Sequence, residues 1–430
     1  MKIAAATFGC KQNQYETSCI MDDFLSNGWE QAGFSEQADV YLINSCTVTN
    51  RTDFKSRNAI RKALKQKQQN PKVKIVVTGC YAQRNEAEIK QLGDIDLVID
   101  NNHKNRIFAA VTADIVPEFQ DILKVSEYSE HSTKTMLDHS RAFLKIQDGC
   151  DFFCAYCAVA WARGPSRSRK RDNIIKQVKM LVEHGFQEFV LSGINLGLYG
   201  FEKDDNYHLE HLLIDLEKIE GVEKLRLSSI EPQLFTEPLL EQIENSKQIC
   251  PHFHIPLQSG SDTLLKSMGR HYDTSEFAEV IGKLLKLKPD AAIGMDVIVG
   301  LPGETDALFE ETYSFLQKLP LTYLHVFPYS RRPGTKAWSM PDQVNGTISK
   351  KRVKRLIALS DTKKSEYINH LISRKTILSG IVEKQENGYY TLLSDHYIRA
   401  YCQSENIAIG HKVIGKTIKT LHDGVLIELI

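Results

Sequence analysis

The sequence predicts an α/β protein in three consecutive parts: an N-terminal parallel α/β sandwich, a central partial (β/α)6 barrel and a small all-β, OB-like barrel at the C-terminus. Strand-like and helix-like segments alternate over the first part of the chain, and further strand–helix repeats follow in the middle. Short β-prone runs separated by turns fill the last part. We expect the domains to span 1–115, 136–368 and 370–430, with a polar linker over 112–140.

The composition is that of an ordinary globular protein from a reducing compartment. Of 430 residues, 42% are hydrophobic and 25% are charged, and the formal net charge is zero. Zero net charge argues against tight non-specific binding of nucleic acid by the whole molecule, but not against local basic patches. No long apolar run predicts a membrane span, and residues 1–10 are too short for a signal peptide. Nine cysteines without a signal indicate metal chemistry, so we expect a cytoplasmic protein with no membrane partner.

In the N-terminal part, each of the first three predicted strands ends in a cysteine. The predicted strands are 2–8, 40–45, 73–78 and 97–99, and the predicted helices are 15–26, 53–68 and 85–92. Cys10, Cys46 and Cys80 follow the first three strands. Because the carboxyl ends of parallel strands meet at one edge of a sheet, we expect these thiols to converge as a metal site. The alternative is three small buried residues, the usual role of free cysteine, although the sequence around them is polar.

The middle part contains six predicted strands separated by helical patterns. The strands are 143–147, 188–192, 224–229, 252–257, 292–299 and 323–328, and the helices are 173–184, 209–219, 237–245, 274–287 and 307–318. A closed barrel of this type needs eight repeats. We therefore predict an open barrel, whose gap can admit a large substrate.

A second set of three cysteines occupies the loop after the first barrel strand. Cys150, Cys154 and Cys157 have the spacing C-x3-C-x2-C. Structural zinc takes four protein ligands, and a disulfide framework needs an even number of cysteines. Three thiolates suit a [4Fe–4S] cluster that keeps one iron open for a small molecule, since such clusters usually have four cysteine ligands. Phe152, Phe153 and Tyr156 would shield this cluster or stack on a bound base; ordinary packing is the alternative.

Residues at the ends of the barrel strands are the candidates for binding that small molecule. A glycine-rich run over 298–304 lets the backbone approach a flat ring closely. For each polar candidate the alternative is a strand-end or helix-capping role. The expected cofactor-binding residues are Tyr156, Ser192, Gly193, Asn195, Ser229, Glu231, Gln258, Asp296, Ile298 and Pro328.

Two basic segments are candidates for phosphate binding. Residues 163–171 hold five basic residues and no acid, and we expect Arg163, Arg167, Arg169 and Arg171 to bind substrate phosphates; a solubilising loop is the alternative. The predicted helix 350–375 is also basic, and is either a solvated face or a nucleic-acid tether. The five predicted strands after it are 377–383, 389–393, 397–401, 412–421 and 425–430.

Several other cysteines and histidines are expected to play no direct part in chemistry. We interpret Cys19, Cys250 and Cys402 as structural, because they lack partners at useful spacing. His252, His254 and His325 lie in predicted strands. We interpret them as core residues or as hydrogen-bonding neighbours of a site, rather than as metal ligands.

With both cysteine sets in place, the chain resembles the methylthiotransferases, radical S-adenosylmethionine (SAM) enzymes that insert sulfur into a C–H bond and methylate it. The resemblance covers essentially the whole length, and residues 149–157, 162–169, 254–260 and 298–304 carry it. It implies an N-terminal domain with an auxiliary cluster, a radical SAM barrel and a C-terminal TRAM domain. Residues 158–161, Phe8 and Gln12 depart from the family pattern, which bears on local packing.

The resemblance also implies two [4Fe–4S] clusters and two molecules of SAM. Cys150, Cys154 and Cys157 would hold the cluster that cleaves SAM to an adenosyl radical, which takes hydrogen from C2 of an adenine. The cluster on Cys10, Cys46 and Cys80 would hold the sulfur, which a second SAM methylates. The adenine must be unstacked to reach both clusters.

The family divides by substrate. Residues 7–17, 46–50 and 79–83 are most similar to the branch that converts N6-threonylcarbamoyladenosine at tRNA position 37 to its 2-methylthio derivative. The implied partners are a tRNA anticodon loop and a reductant such as flavodoxin or ferredoxin, while nothing indicates the sulfur donor. The alternatives are a methylthiotransferase for isopentenyladenosine-37 or for a ribosomal-protein aspartate, and a non-catalytic metal-containing RNA-binding protein, which the C-x3-C-x2-C spacing disfavours.

Overall fold

A computed structural model describes residues 1–136, 140–203, 206–404 and 406–430 and contains the three expected parts. Within these ranges, none of the helices combines the length and the apolar character needed to cross a bilayer.

The N-terminal part is a five-stranded parallel sheet in the order β2-β1-β3-β4-β5. Helices α1 and α5 cover one face, and α2 with α4 covers the other, so each face buries its own apolar cluster. The edge strand β2 was not predicted because it is only three residues long. The predicted helix over 85–92 is present as the shorter α4, and the short α3 before it was not predicted. The bounds are β1 Lys2–Thr7, α1 Lys11–Leu25, β2 Glu30–Ala32, β3 Val40–Ser45, α2 Asn50–Gln69, β4 Lys74–Gly79, α3 Cys80–Arg84, α4 Glu86–Lys90, β5 Leu97–Val98 and α5 Ile107–Thr112.

The middle part is an arc of six parallel strands. Two three-stranded sheets, β6-β9-β10 and β11-β12-β13, are joined by a bridge between Leu225 and Ile249. The antiparallel strand pair β7–β8, which was not predicted, lies in the loop region after β6. The bounds are β6 Ala142–Lys145, β7 Gln147–Asp148, α6 Val159–Arg163, β8 Arg167–Ser168, α7 Arg171–Glu183, β9 Glu188–Ser192, α8 Leu209–Glu217, β10 Lys224–Leu227, α9 Glu237–Asn245, β11 His252–His254, α10 Asp262–Ser267, α11 Thr274–Leu287, β12 Ala292–Val299, α12 Asp306–Lys318, β13 Tyr323–Pro328 and α13 Lys336–Ser339.

The C-terminal part is a closed five-stranded barrel in the order β14-β15-β16-β18-β17, reached through one long helix, α14. The basic character of α14 is partly structural, because Arg352 is buried against Glu304 and Asp306 of the central barrel. Lys350, Lys351 and Lys354 remain exposed. The bounds are α14 Gly346–Ser373, β14 Ile377–Glu386, β15 Tyr389–Leu393, β16 Arg399–Cys402, β17 Lys412–Leu421 and β18 Gly424–Leu429.

A buried network of charges joins the N-terminal part to the central barrel. Arg163 of α6 has no solvent-exposed surface, and its guanidinium contacts Glu16 and Asn13 of α1. Glu16 also pairs with Lys104, and with Lys145 of β6 at 2.7 Å. Burial alone would raise the pKa of Glu16, but the three neighbouring cations hold it well below its usual value. Because unpaired buried charges are costly, these contacts fix α1 against the barrel.

The arginines expected to bind phosphates are used differently. Arg163, Arg167 and Arg169 are all buried: Arg167 donates to the Arg163 carbonyl at 2.8 Å, and Arg169 donates to Glu130 at 2.8 Å. For these three the prediction was wrong, since their guanidinium groups are enclosed by protein acceptors. Arg171 is half-exposed, but it pairs with Asp215 at 2.7 Å and with Asp172 at 2.9 Å, so no surplus charge is left there. A run of basic residues in a sequence does not show which of their side chains are buried in the folded protein.

We predict that Glu16→Gln strongly destabilises the junction between the N-terminal part and the barrel. The amide cannot neutralise three buried cations, so the free energy of unfolding should fall by about 3–5 kcal/mol. Urea unfolding followed by circular dichroism measures this.

The matched control is Glu86→Gln, which removes an exposed ion pair with Lys90 at 2.5 Å. Such pairs on helix surfaces contribute about 0.3–0.5 kcal/mol. An equal decrease in the free energy of unfolding for Glu16→Gln and Glu86→Gln would contradict the proposed role of the network.

Candidate active site

The first three-thiol set lies at the carboxyl edge of the N-terminal sheet. Cys10 is the N-cap residue of α1, Cys46 follows β3, and Cys80 is the first residue of α3. Gly9 has φ +97°, and a Cβ there would lie 2.7 Å from the Cys46 sulfur, so only glycine lets the two loops approach. Burial, and then the neighbouring thiols of Cys80 and Cys10, raise the pKa of Cys46 to about 12. The predicted convergence of the three cysteines is therefore present in the structure.

The second set lies in the loop after β7. Gly149 has φ +77°, and a Cβ there would lie 1.8 Å from the Pro165 carbonyl oxygen, so this turn also needs glycine. Burial, and then neighbouring thiols of the set, raise the pKa of Cys150 to about 12 and that of Cys157 to about 11. Two backbone hydrogen bonds, from Ala155 to the Met268 carbonyl at 2.9 Å and from Ala337 to the Ala155 carbonyl at 2.8 Å, anchor the loop to the barrel.

The donors around both sets suit sulfur ligands that carry negative charge. The Val159 N–H points at the Cys157 sulfur at 3.4 Å, and the Arg270 guanidinium donates to the Cys154 sulfur at 3.3 Å. On the other set, Arg163 Nε donates to the Cys80 sulfur at 3.2 Å. All these cysteines are free thiols. Three sulfurs per set with N–H and cationic donors are what thiolate-bound iron–sulfur clusters need, so the residues fit such a cofactor.

One short helix connects the two sets. Helix α6 begins two residues after Cys157 and ends at Arg163, which reaches the Cys80 sulfur. Helix α6 packs against α3, the helix that Cys80 begins. Arg84 at the end of α3 is close enough to Cys80 and to Cys157 to interact electrostatically with both. The two sets therefore face one another across α3 and α6.

Among the predicted cofactor-binding residues, Tyr156 and Glu231 meet at a residue that was not predicted, Arg270. Its guanidinium pairs with the Glu231 carboxylate and lies 3.5 Å from the Tyr156 hydroxyl and 3.3 Å from the Cys154 sulfur. Burial alone would lower the pKa of Arg270, but its interactions with Tyr156, Glu231 and Cys154 hold it well above its usual value. No spacing in the sequence links residue 270 to the cysteine loop, because the contact exists only after folding.

The other predicted residues occupy several positions. Asn195 is buried, and both polar atoms of its side chain lack a hydrogen-bond partner, as expected of a group that awaits a ligand. Ser192 donates to the Leu144 carbonyl at 3.4 Å and so packs β9 against β6. A Cβ on Gly193 would lie 2.7 Å from Gln147 Oε1, so this glycine serves close packing.

The remaining candidates lie along the last three strands. Gln258 has φ +69°, a conformation unusual for a side chain of its kind, and bridges to β12. Ile298 packs with Tyr156 in a small apolar cluster, while Pro328 is exposed at the end of β13. Ser229, just after β10, forms a hydrogen bond with Nδ1 of His254 at the end of β11, at 2.8 Å.

Three side chains that face the inside of the barrel form a polar group. Asp296 Oδ1 lies 3.2 Å from His254 Nε2 and 3.3 Å from His325 Nδ1, and the ligand atoms of all three lie within 4.8 Å of one another. Burial alone would raise the pKa of Asp296, but both histidines hold it below its usual value. The expectation that these histidines are hydrogen-bonding neighbours fits His254, which is bonded to Ser229, whereas the His325 side chain is 45% exposed.

Lys11 also faces the barrel and was not predicted. Its ammonium lies among the charges of Arg226, Arg141 and Glu188, all of which belong to the central part of the chain. Burial, and then the two arginines, lower the pKa of Lys11 to about 8.

Comparisons with known proteins agree with this architecture. Residues 2–100 match the family described as "Uncharacterized protein family UPF0004", and residues 144–316 match the Radical SAM superfamily. The solved structure of the radical SAM methyltransferase TsrM from Kitasatospora setae superposes with a TM-score of 0.58, covering 78% of this chain and 74% of that one. At 14% sequence identity, this likeness shows the fold alone.

Two curated relatives extend over most of the chain. The threonylcarbamoyladenosine tRNA methylthiotransferase MtaB of Bacillus subtilis is 40% identical over 97% of this chain and 94% of its own length. The tRNA-2-methylthio-N(6)-dimethylallyladenosine synthase of Natranaerobius thermophilus is 32% identical over 83% of this chain and 81% of its own length. The chain therefore belongs to the radical SAM tRNA methylthiotransferases, a family of enzymes that use SAM and [4Fe–4S] chemistry to transfer a sulfur-containing group.

Proposed function

We propose that this protein converts N6-threonylcarbamoyladenosine at position 37 of tRNA to its 2-methylthio derivative, using two clusters and two molecules of SAM. The observation that carries the reaction is the facing arrangement of two three-thiol sets across α3 and α6. The substrate is supported by the name of the MtaB relative and by its 40% identity to this chain.

Each set has a distinct role in this proposal. Cys150, Cys154 and Cys157 hold the SAM-binding cluster, and Cys10, Cys46 and Cys80 hold the auxiliary cluster, within residues 1–115. When bound, the clusters supply the electron that cleaves SAM and an open iron position for the transferred sulfur. A reductant such as flavodoxin or ferredoxin delivers that electron.

The chain's own residues position SAM and keep water from it. Arg270 fixes Glu231 and Tyr156 beside the cysteine loop, and Asn195 offers an unused donor and acceptor. Ala155, Leu264 and Met268 belong to an apolar cluster behind the loop. A dry surrounding of this kind strengthens the electrostatic interactions inside the site.

The substrate base must reach the space between the two sets, which only an unstacked nucleotide can do. The anticodon loop of tRNA offers such nucleotides. Because Arg163, Arg167 and Arg169 are interior, we assign phosphate binding to exposed lysines of α14 and of the C-terminal barrel. Lys350, Lys351 and Lys354 are on α14, and Lys416 and Lys419 are on β17.

Cysteine variants test the division between the two sets. Cys150→Ala should abolish SAM cleavage, because the SAM-binding cluster loses a ligand. Cys80→Ala should stop methylthiolation while some SAM cleavage persists. Iron analysis of protein purified without oxygen should give about eight irons per chain for the parent and about four for each variant.

Cys250→Ala is the matched control, since Cys250 is buried and far from both sets in sequence. It should retain the full iron content and activity. Loss of SAM cleavage in Cys80→Ala with the fold intact would contradict the separate roles.

The substrate assignment is tested by nucleoside mass spectrometry of tRNA from a strain that lacks the gene. We expect 2-methylthio-N6-threonylcarbamoyladenosine to disappear and its unmethylthiolated precursor to accumulate, with recovery on complementation. Loss of the isopentenyl counterpart instead would establish the alternative tRNA substrate. Unchanged tRNA nucleosides in a strain with no second such enzyme would refute both.

Phosphate binding by α14 predicts a change in salt dependence. Replacing Lys350, Lys351 and Lys354 together by Gln should weaken binding to an anticodon stem-loop and lower the slope of log affinity against log salt by roughly 2–3. Fluorescence anisotropy at several salt concentrations measures the slope. The control replaces the exposed Lys55, Lys62 and Lys65 of α2 together by Gln. An equal decrease in the slope for this control would argue against phosphate binding by the lysines of α14.

A further inference from the structure

Lys11 connects the first cysteine set to the inside of the barrel. It is the residue directly after Cys10 and the first residue of α1. Its ammonium is close enough to Arg226, Arg141 and Glu188 for their charges to act on it, and its own charge acts on His252 of β11. The side chain therefore extends from the N-terminal part towards the barrel strands.

The charge of Lys11 is not neutralised by the protein. Arg226 pairs with Glu188 at 2.9 Å and Arg141 pairs with Glu383 at 2.7 Å, so each neighbouring guanidinium already has its own carboxylate. Within the parts of the chain that the structure describes, the Lys11 ammonium has neither an ion pair nor a side-chain hydrogen bond. This leaves one positive charge in excess beside the lumen. Such a charge is costly unless a ligand supplies an anion.

Polar and accessible side chains lie near Lys11, because the charges of Lys11, His254 and His325 all act on His252. The Asp296 side chain is 25% exposed and that of His325 is 45% exposed. Such carboxylate and imidazole groups can hydrogen-bond urea N–H and hydroxyl groups. The lumen thus combines one unpaired cation with uncharged and anionic hydrogen-bonding groups.

A threonylcarbamoyl group has the complementary chemistry: one carboxylate, one hydroxyl and urea N–H groups. On adenine, C2 and C6 both flank N1, so a group on N6 projects away from the reacting C2. Lys11 follows Cys10 directly at the start of α1, so its side chain begins beside the first cysteine set. An isopentenyl group carries no charge and gains nothing from this cation.

We propose that Lys11 binds the carboxylate of the N6-threonylcarbamoyl group and so selects this nucleotide over neutral N6-modified adenosines. This inference rests on the proposed function. A charge-assisted hydrogen bond of this kind should change affinity by about 10- to 100-fold.

The test compares two anticodon stem-loop RNAs, one with threonylcarbamoyladenosine and one in which the carboxylate is replaced by a carboxamide. The parent protein with both clusters, without SAM, should bind the acid about 10- to 100-fold more tightly than the amide. Lys11→Met should remove this difference and bind the amide as the parent does. Lys55→Met, at an exposed position on α2, should behave as the parent.

Three results would overturn the proposal. Equal weakening of both RNAs by Lys11→Met would show that Lys11 binds a backbone phosphate, and no effect on either would show that it contacts neither group. Loss of iron in Lys11→Met would show a structural role beside Cys10. If the parent itself modifies only isopentenyladenosine RNA, the proposed function fails, which is a separate outcome from the effect of Lys11.

Discussion

The buried contact between Arg163 and Glu16 is the interaction on which the arrangement of the site depends. A fully buried guanidinium persists only where carboxylates face it, and here they come from both sides of the junction: Glu16 from α1 and Asp148 from β7. The same guanidinium donates to the Cys80 sulfur. One side chain therefore holds two parts of the chain together and sets the distance of the first cysteine set from the helix that follows the second.

Glycines and short helices complete this arrangement by letting loops approach closely. The loop that carries Cys10 passes within contact distance of Cys46 because Gly9 has no side chain, and Gly79 lies against the Ser45 backbone for the same reason. With φ +97° at both positions, an L-residue would be strained as well as crowded. The thiols therefore converge because the two glycines let the loops approach one another, and not only because cysteines occupy these positions.

The C-terminal barrel packs directly against the strands of the central barrel. Arg226 donates to the carbonyl groups of Ser394 and Asp395, and Tyr397 stacks on His252 with ring centroids 4.2 Å apart. Tyr397 holds φ +60°, an uncommon conformation that these contacts stabilise. Residues of all three parts of the chain therefore meet around Arg226 and His252. The neutral total charge does not show this distribution, in which several buried cations share one carboxylate, as Arg163, Lys104 and Lys145 share Glu16.

The sequence by itself determined the features that depend on local spacing and periodicity. The alternation of strands and helices predicted the order of the elements, the C-x3-C-x2-C spacing predicted the second cysteine set, and the position of Cys10, Cys46 and Cys80 after successive parallel strands predicted the first. Strand β2 and the pair β7–β8 escaped prediction because runs of two or three residues have no periodicity. Only the tertiary structure decided the roles of the charged residues. Arg163, Arg167 and Arg169 turned out to be interior, Arg270 met Cys154 across a gap of 116 residues, and Lys11 was left without a partner, because burial and pairing depend on which distant segments fold together.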